Sequence, residues 1–300
     1  MTIEPPAPGE PRRPHGPRDP GDAWVVAPTG ERYWGRFGAA GLLAVDPERR
    51  VLLQHRVSWS HFGDTWALPG GARHEGESAC DGALREAAEE AGVPEASLRP
   101  RVLSVLDLGY WSYTTVVGDV VVPFEPTISD PESRELAWVP AEEVADYPLH
   151  PGFADSWEGL RALLTVRPAV VVDVANVMGA VPDGWWRDRA GAASRLIARV
   201  ADLGGAGVPA GALELPEHTW YPEWIAVVEG QARVAAEAPG VEVVRAEASG
   251  DDAIVAVAQR AVAGGRTVTV VTSDRGLAER VTDAGAAVRG ARWLLDLLED

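Results

Sequence analysis

Glu86, Glu89 and Glu90 stand within five consecutive positions, with Arg85 just before them and Gly92 just after. On an α-helix, which turns about 100° per residue, these three carboxylates share an arc of roughly 100°. Leu84, Ala87, Ala88, Ala91 and Cys80 take the opposite side, where a core face belongs. Arg85 sits one turn before Glu89, so the two are placed to pair along the surface. Carboxylates converging on one patch repel one another unless a cation or protons offset the charge. Hard oxygen ligands of this kind suit Mg2+ or Mn2+, which are commonly shared with substrate phosphates. Upstream, Pro69-Gly70-Gly71 forms a loop whose backbone can approach such a metal closely, because glycine tolerates unusual dihedrals. The competing interpretation is a solvated acidic face on a surface helix.

A longer spacing weighs against that alternative. Gly71, Glu77, Arg85, Glu86, Glu89, Glu90 and Gly92 fall in the pattern G-x5-E-x7-R-E-U-x-E-E-x-G-U. This resembles the signature of the Nudix hydrolases over roughly residues 23–163, with Ala87 where the family usually has a bulkier aliphatic residue. The resemblance implies an α/β/α sandwich with a mixed sheet. It implies that Glu86, Glu89 and Glu90 bind divalent metal with help from the Gly70 carbonyl, and that Arg85 orients Glu89. It also implies attack by a metal-activated water on a phosphorus of a diphosphate linkage. Bound metal would lower the water's pKa and neutralise charge on the transferring phosphoryl group. The catalytic set that the resemblance implies is Arg85, Glu86, Glu89 and Glu90. The base stays open between a helix glutamate and a later carboxylate, Glu125 or Glu135. The expected substrate is a nucleoside diphosphate derivative or a nucleoside triphosphate. Trp59, His61, Phe62, Trp111 and Tyr113 are candidates to stack on a base or to pack ordinarily, whereas Trp138 reads as core.

The elements that must hold this set follow from the pattern around it. Ser78 with Asp81 forms a capping box, and Gly92 is placed to end the helix in the left-handed conformation. Strands are expected at Arg36–Val45 and Val51–Arg56, joined by a turn at Asp46-Pro47-Glu48-Arg49, and again at Val102–Leu108, Tyr113–Phe124 and Leu136–Val139. Trp59–Thr65 reads as a loop, Glu142–Tyr147 as a short helix and Trp157–Leu164 as a longer one.

Beyond Thr165-Val166-Arg167-Pro168 the pattern alternates. Apolar runs Ala169–Val174, Trp224–Val228, Val241–Val244 and Thr267–Thr272 read as buried strands, with helices Trp186–Leu203, Asp252–Val262 and Leu277–Ala284 between them. Such alternation implies a doubly wound parallel α/β sheet, whose sites lie at the carboxyl ends of its strands. The residues expected there are acidic: Asp173, Glu229, Asp251, Asp252 and Asp274. Helix capping alone accounts for Asp274 and for Asp251 or Asp252; Asp173 has no obvious helix start behind it. No dinucleotide or phosphate-loop motif is present. Val-Asp-Val-Ala-Asn-Val, Ser-Gly-Asp-Asp-Ala-Ile-Val and Val-Thr-Ser-Asp-Arg-Gly-Leu together resemble the NYN branch of PIN-like ribonucleases, with Glu229 where many relatives carry aspartate. That resemblance implies acids that bind Mg2+ or Mn2+ for RNA cleavage. Arg187, Arg189 and Arg275 are candidates to meet phosphates or simply to be solvated.

Three hundred residues and 46% apolar content predict two domains. The expected division is a flexible Pro/Arg-rich tail over 1–22, a Nudix domain over 23–164, a linker over 165–168 and the NYN/PIN-like domain over 169–300. A single cysteine, Cys80, excludes an internal disulfide framework and fits a reducing cytoplasm. No apolar run approaches a membrane span. A net charge of −18 argues against broad adhesion to nucleic acid or anionic membrane, while leaving local phosphate sites open. The enzyme reading stands beside one alternative, a nucleotide-sensing module that binds RNA or a protein partner.

Overall fold

The structure, a computed structural model, describes residues 1–6, 20–182 and 184–299. Pro8, Pro11, Arg12, Arg13, Pro14 and Arg18, read above as part of a tail, lie outside these described residues. The chain divides into two compact units, Met1–Leu163 and Leu164–Asp300.

In the first unit, β1 (Thr2–Glu4), β2 (Trp24–Val26) and β3 (Arg32–Trp34) form a small antiparallel sheet. Thr2–Glu4 was expected to be tail and instead pairs along β2. The main sheet contains β4 (Ala39–Val45), β5 (Arg50–Arg56), β6 (Trp66–Ala67), β7 (Gly70–Ala72), β8 (Leu98–Asp107), β9 (Ser112–Val120) and β10 (Ser133–Pro140). Its path runs β10–β5–β4–β9–β8, with β6 on β5 and β7 on β4. The β4–β9 pair is parallel and the other pairs on this path are antiparallel, so the sheet is mixed. β4 starts at Ala39 rather than Arg36, because Gly35 and Gly38 take positive φ and break the extended backbone first. β9 stops at Val120 rather than Phe124, where the N–H groups of Val121 and Val122 turn back to the Ser97 carbonyl. The expected helix at Glu142–Tyr147 is a single 3-10 turn, Val144–Asp146.

Helix α1 (Ala79–Ala91) lies on β4, β7 and β9. Its buried stripe is Ala83, Ala87 and Ala91, packed with Ala40, Leu42 and Ala44. These small side chains let the helix sit close to the sheet, and at a fully buried Ala87 extra volume would cost about 1–3 kcal/mol. Ala88, expected on the core side, is exposed. Helix α2 (Pro151–Leu163) buries Phe153, Trp157, Leu160 and Leu163. It begins earlier than the expected Trp157 because Pro151 opens it, a position where proline forfeits no helical hydrogen bond.

The second unit begins with β11 (Pro168–Asp173), α3 (Val174–Gly179), α4 (Arg189–Ala206), β12 (Val208–Pro209), α5 (Ala210–Leu213), β13 (Thr219–Trp220) and β14 (Glu223–Val228). It continues with β15 (Val241–Arg245), α6 (Gly250–Ala263), β16 (Thr267–Val271), α7 (Arg275–Asp283), β17 (Ala287–Arg289) and α8 (Ala291–Glu299). Strands run in the order β15–β14–β11–β16–β17, and every pair in that path is parallel. Alternation along the strands builds two cores. Val170, Val172, Trp224, Ala226 and Val228 pack with α3, α4 and α8, while Val171, Ile225, Val227, Val268 and Val270 pack with α6 and α7. Helices therefore cover both faces, as the alternating pattern predicts. The chain reverses its winding between β11 and β16, and the crevice of such a sheet lies at that switch point.

Candidate active site

The local chain path puts Glu86 and Glu90 against β7. Ser78 Oγ accepts from the Asp81 N–H to cap α1, and Gly92, at φ 63°, ends it. Glu86 and Glu90 are only 4% and 7% exposed, whereas Glu89 is 52% exposed. Two glycines make that burial possible. A Cβ on Gly71 would lie 2.7 Å from the Glu86 carboxyl, and one on Gly70 would lie 2.5 Å from the backbone of Ala40 and Gly41. The Gly70 N–H donates to Glu90 Oε2 at 2.9 Å.

Arg85 organises the outer side. Its Nε and Nη2 donate to the two Glu77 oxygens at 2.8 and 3.0 Å, and Nη1 donates to Glu86 Oε1 at 2.7 Å. Another bond from Nη2 reaches the Ala72 carbonyl at 3.0 Å. Glu89 is a weaker partner, 3.6 Å from Arg85 Nη1. Arg85 therefore orients Glu77 and Glu86, correcting the expectation that Glu89 is its main partner. The Arg85 guanidinium holds the Glu77 carboxyl below its usual range, helped by the His74 N–H. Burial, followed by the charge of Glu86, pushes Glu90 well above its usual value, while Arg56 and the Gly70 N–H oppose the shift. Among the described residues no three His, Cys, Asp or Glu side chains are gathered closely enough to hold a metal ion. The expected convergence of three carboxylates is thus a buried pair, Glu86 and Glu90, with Glu89 turned outward.

Several neighbours of this pair escaped the spacing. Arg56, the half-buried last residue of β5, is the cation acting on Glu90 and on the Tyr113 hydroxyl. It also acts on His150, where burial first, then Arg56 and His61, push the imidazole down to about 4. A cation closing an apolar strand was the available signal for Arg56; nothing near His150 marked it. Tyr113 fills the space that a side chain on Gly41 would occupy. Burial and the charge of Glu90 raise its hydroxyl. The later-loop carboxylate felt by Glu90 is Glu132. Glu135 instead lies 4.0 Å from His55, and Glu125 acts on Arg50.

Aromatic side chains line this region. Phe62, 47% exposed, stands edge-on to His61 and His150 at 4.3 and 4.7 Å. Trp111 lies 4.7 Å from Tyr33 and 6.2 Å from Tyr113. Trp59 is exposed, and Trp138 packs on Phe124 beside the core, as expected for that residue. Cys80 is mostly buried, which raises its thiol to about 11 and makes it a poor nucleophile.

In the second unit, Asp173 is buried and does precede a helix, contrary to expectation. It caps α3, with Oδ1 accepting from the Asn176 N–H at 3.0 Å and Oδ2 accepting from Thr272 Oγ1 at 2.9 Å. Burial raises its pKa, and the charges of Asp251 and Glu229 add to the shift. Glu229 Oε2 accepts from the Gly250 N–H at 2.9 Å. The other two acids have structural partners: Asp274 caps α7, and Asp252 pairs with Arg280 at 2.6 Å. Arg275 is exposed at the start of α7.

Comparison with known proteins matches residues 35–162 to the family model of the NUDIX domain. A Mycobacterium tuberculosis protein provisionally named 8-oxo-dGTP diphosphatase 3 is 48% identical over 166 residues, spanning 52% of this chain and 76% of its own length. The CTP pyrophosphohydrolase of Escherichia coli K12 is 29% identical over 133 residues, spanning 42% of this chain and 92% of its own. The crystal structure of RenU, a Nudix hydrolase from M. smegmatis, is 47% identical, with coverage of 48% of this chain and 95% of its own and a TM-score of 0.43.

Proposed function

The chain belongs to the Nudix family and is a Nudix hydrolase, and from that premise we propose that its first unit is a metal-dependent nucleotide pyrophosphohydrolase. The observation that carries this reading is the buried Glu86–Glu90 pair, two like charges kept together against β7 by Arg85 and the Gly70 N–H. Such a pair calls for an added cation, and its all-oxygen donor set suits a hard one. We assign Glu86, Glu90 and the Gly70 carbonyl to hold Mg2+ or Mn2+, with Glu89 completing the set once its exposed side chain turns inward on the ion. Bound there, the metal supplies an activated water and neutralises phosphoryl charge. Arg85 keeps Glu86 in place, Arg56 meets substrate phosphate, and the exposed Phe62 ring offers a base its face.

Two relatives are named for nucleoside triphosphate substrates, and a nucleoside triphosphate, 8-oxo-dGTP or CTP among them, is the substrate we propose. A nucleotide panel with product identification tests this. The expected products from a triphosphate are nucleoside monophosphate and pyrophosphate; cleavage confined to non-nucleotide diphosphates would reject the substrate class.

The domain assignment proposed is 23–164 for the Nudix domain and 169–300 for a NYN/PIN-like domain joined through 165–168. No helix among the described residues is long and apolar enough to cross a membrane, and the lone thiol supports a cytoplasmic setting. For the second unit we propose metal-dependent RNA cleavage, supported by buried Asp173 at the carboxyl edge of the parallel sheet, within the field of the Asp251 and Glu229 charges. Labelled RNA cut with Mn2+ by wild type and left whole by Asp173→Asn is the expected outcome. RNA left whole by both proteins would favour a regulatory, binding-only unit.

A further inference from the structure

The second unit presents an exposed tryptophan beside Arg187 and Arg189, with the exposed Asp188 between the two arginines capping α4. Gly184, at φ 87°, turns the chain into a single 3-10 turn, Trp185–Arg187. Trp185 packs against the core shared by α3, α4 and α8. Trp186 stands edge-on to it, 6.1 Å away at 84°, and is 55% exposed. Arg189, the first residue of α4, holds its guanidinium 5.3 Å from the Trp185 ring centroid. Arg187 between them is exposed.

An isolated surface tryptophan is ordinary. Here the Trp185 ring, packed on the core, lies beside both the exposed indole and the Arg189 guanidinium, which reduces the side-chain freedom lost on binding. Topology places the turn usefully. β11 and β14 are parallel, so α4 must carry the chain from the carboxyl end of one back to the amino end of the other. Its start therefore lies at the carboxyl edge, the same edge as Asp173 and Thr272.

We propose that Trp186, Arg187 and Arg189 form a binding surface for single-stranded nucleic acid. An unpaired base stacks on the Trp186 indole, and the two guanidinium groups meet the flanking phosphates. A duplex hides the base faces that a protruding indole needs. With a chain charge of −18 there is no general attraction for polyanions, so binding depends on this local set and its salt dependence is shallow. Two phosphate contacts on a single strand give a log–log slope of about −1.4. This surface extends the RNA reading of the second unit without requiring cleavage.

The test is fluorescence anisotropy of a labelled oligouridylate with the full chain in EDTA, which separates binding from metal-dependent cleavage. Wild type binds with the shallow salt slope. Trp186→Ala weakens binding about tenfold or more, with Trp186→Phe retaining part of it. Arg187→Ala reduces the slope by about 0.7. Asp173→Asn binds like wild type, and Trp186→Ala keeps the wild-type circular dichroism and both unfolding transitions, which shows that its second unit is folded. Undiminished binding by Trp186→Ala, equal affinity for a duplex of matching sequence, or no saturable binding at low salt would overturn the proposal. Binding that persists where RNA is never cut with Mn2+ would retire the nuclease reading and leave this one standing.

Discussion

Replacing Glu90 by Gln is expected to lower nucleotide hydrolysis about a thousandfold while leaving the protein at least as stable at neutral pH. The two effects separate because the carboxylate does different things for fold and for chemistry. Its Oε2 accepts from the Gly70 N–H, a bond that the amide oxygen of glutamine can also accept. Its charge, by contrast, is a burden in the metal-free fold, since burial and Glu86 both raise its pKa. The sign follows from linkage. A carboxyl whose folded pKa is raised costs nothing while protonated in both states, and the cost builds as pH climbs through the usual value of 4.5 towards the raised one. Glutamine has no such cost, so the variant matches wild type in acid and equals or exceeds it at neutral pH. Added Mg2+ reverses the ranking, because a ligand that binds only the folded state stabilises it by mass action and wild type binds it better. Thermal melts at pH 4 and pH 7.5, with and without Mg2+, read all of this. A variant melting well below wild type at neutral pH without metal would contradict the account.

Arg85→Ala carries the largest expected loss of stability. The guanidinium bonds both oxygens of Glu77, one oxygen of Glu86 and the Ala72 carbonyl, all from a position 19% exposed. Removing it strands two largely buried carboxylates, a defect of about 3 kcal/mol, or roughly 6 to 12 °C for a domain of this size. Hydrolysis falls too, because Glu86 loses the bond that fixes it. Arg85→Lys keeps the charge but not the fork, so it recovers part of the stability and little of the Glu77 geometry. The pH dependence identifies the partner. Glu77 has a lowered folded pKa, so its pairing contributes stability above its usual value of 4.5, and that contribution is lost as pH falls through the lowered one. In Arg85→Ala this acid-side loss shrinks. An alanine variant that melts like wild type would show the network to be ornamental.

Much of this arrangement was legible in local spacing. Ser78, Asp81 and Gly92 mark the ends of α1 because capping is chemistry of neighbouring residues. The strand–helix alternation after Pro168 specifies a parallel sheet because both its faces must be apolar. What spacing could not show was the rotation of α1 on its sheet. Gly70 and Gly71 remove the volume that would otherwise push Glu86 and Glu90 outward, so these two tuck under the helix and Glu89 faces solvent. That follows from the register of β4 with β7, a contact distant in sequence from the helix. Arg56 and His150 come to the site by the same long-range route. Asp173 failed for a local reason: Val-Ala-Asn-Val-Met-Gly continues an apolar run and hides a six-residue helix, though the Asp173–Asn176 interval was itself a capping spacing.

The most direct test of the central claim is nucleoside triphosphate hydrolysis by the full chain in 18O-labelled water with Mg2+, with every product resolved by mass. The account predicts equal amounts of nucleoside monophosphate and pyrophosphate, with a single labelled oxygen on the phosphate of one of them. Orthophosphate released first, or product phosphates free of label, would contradict it.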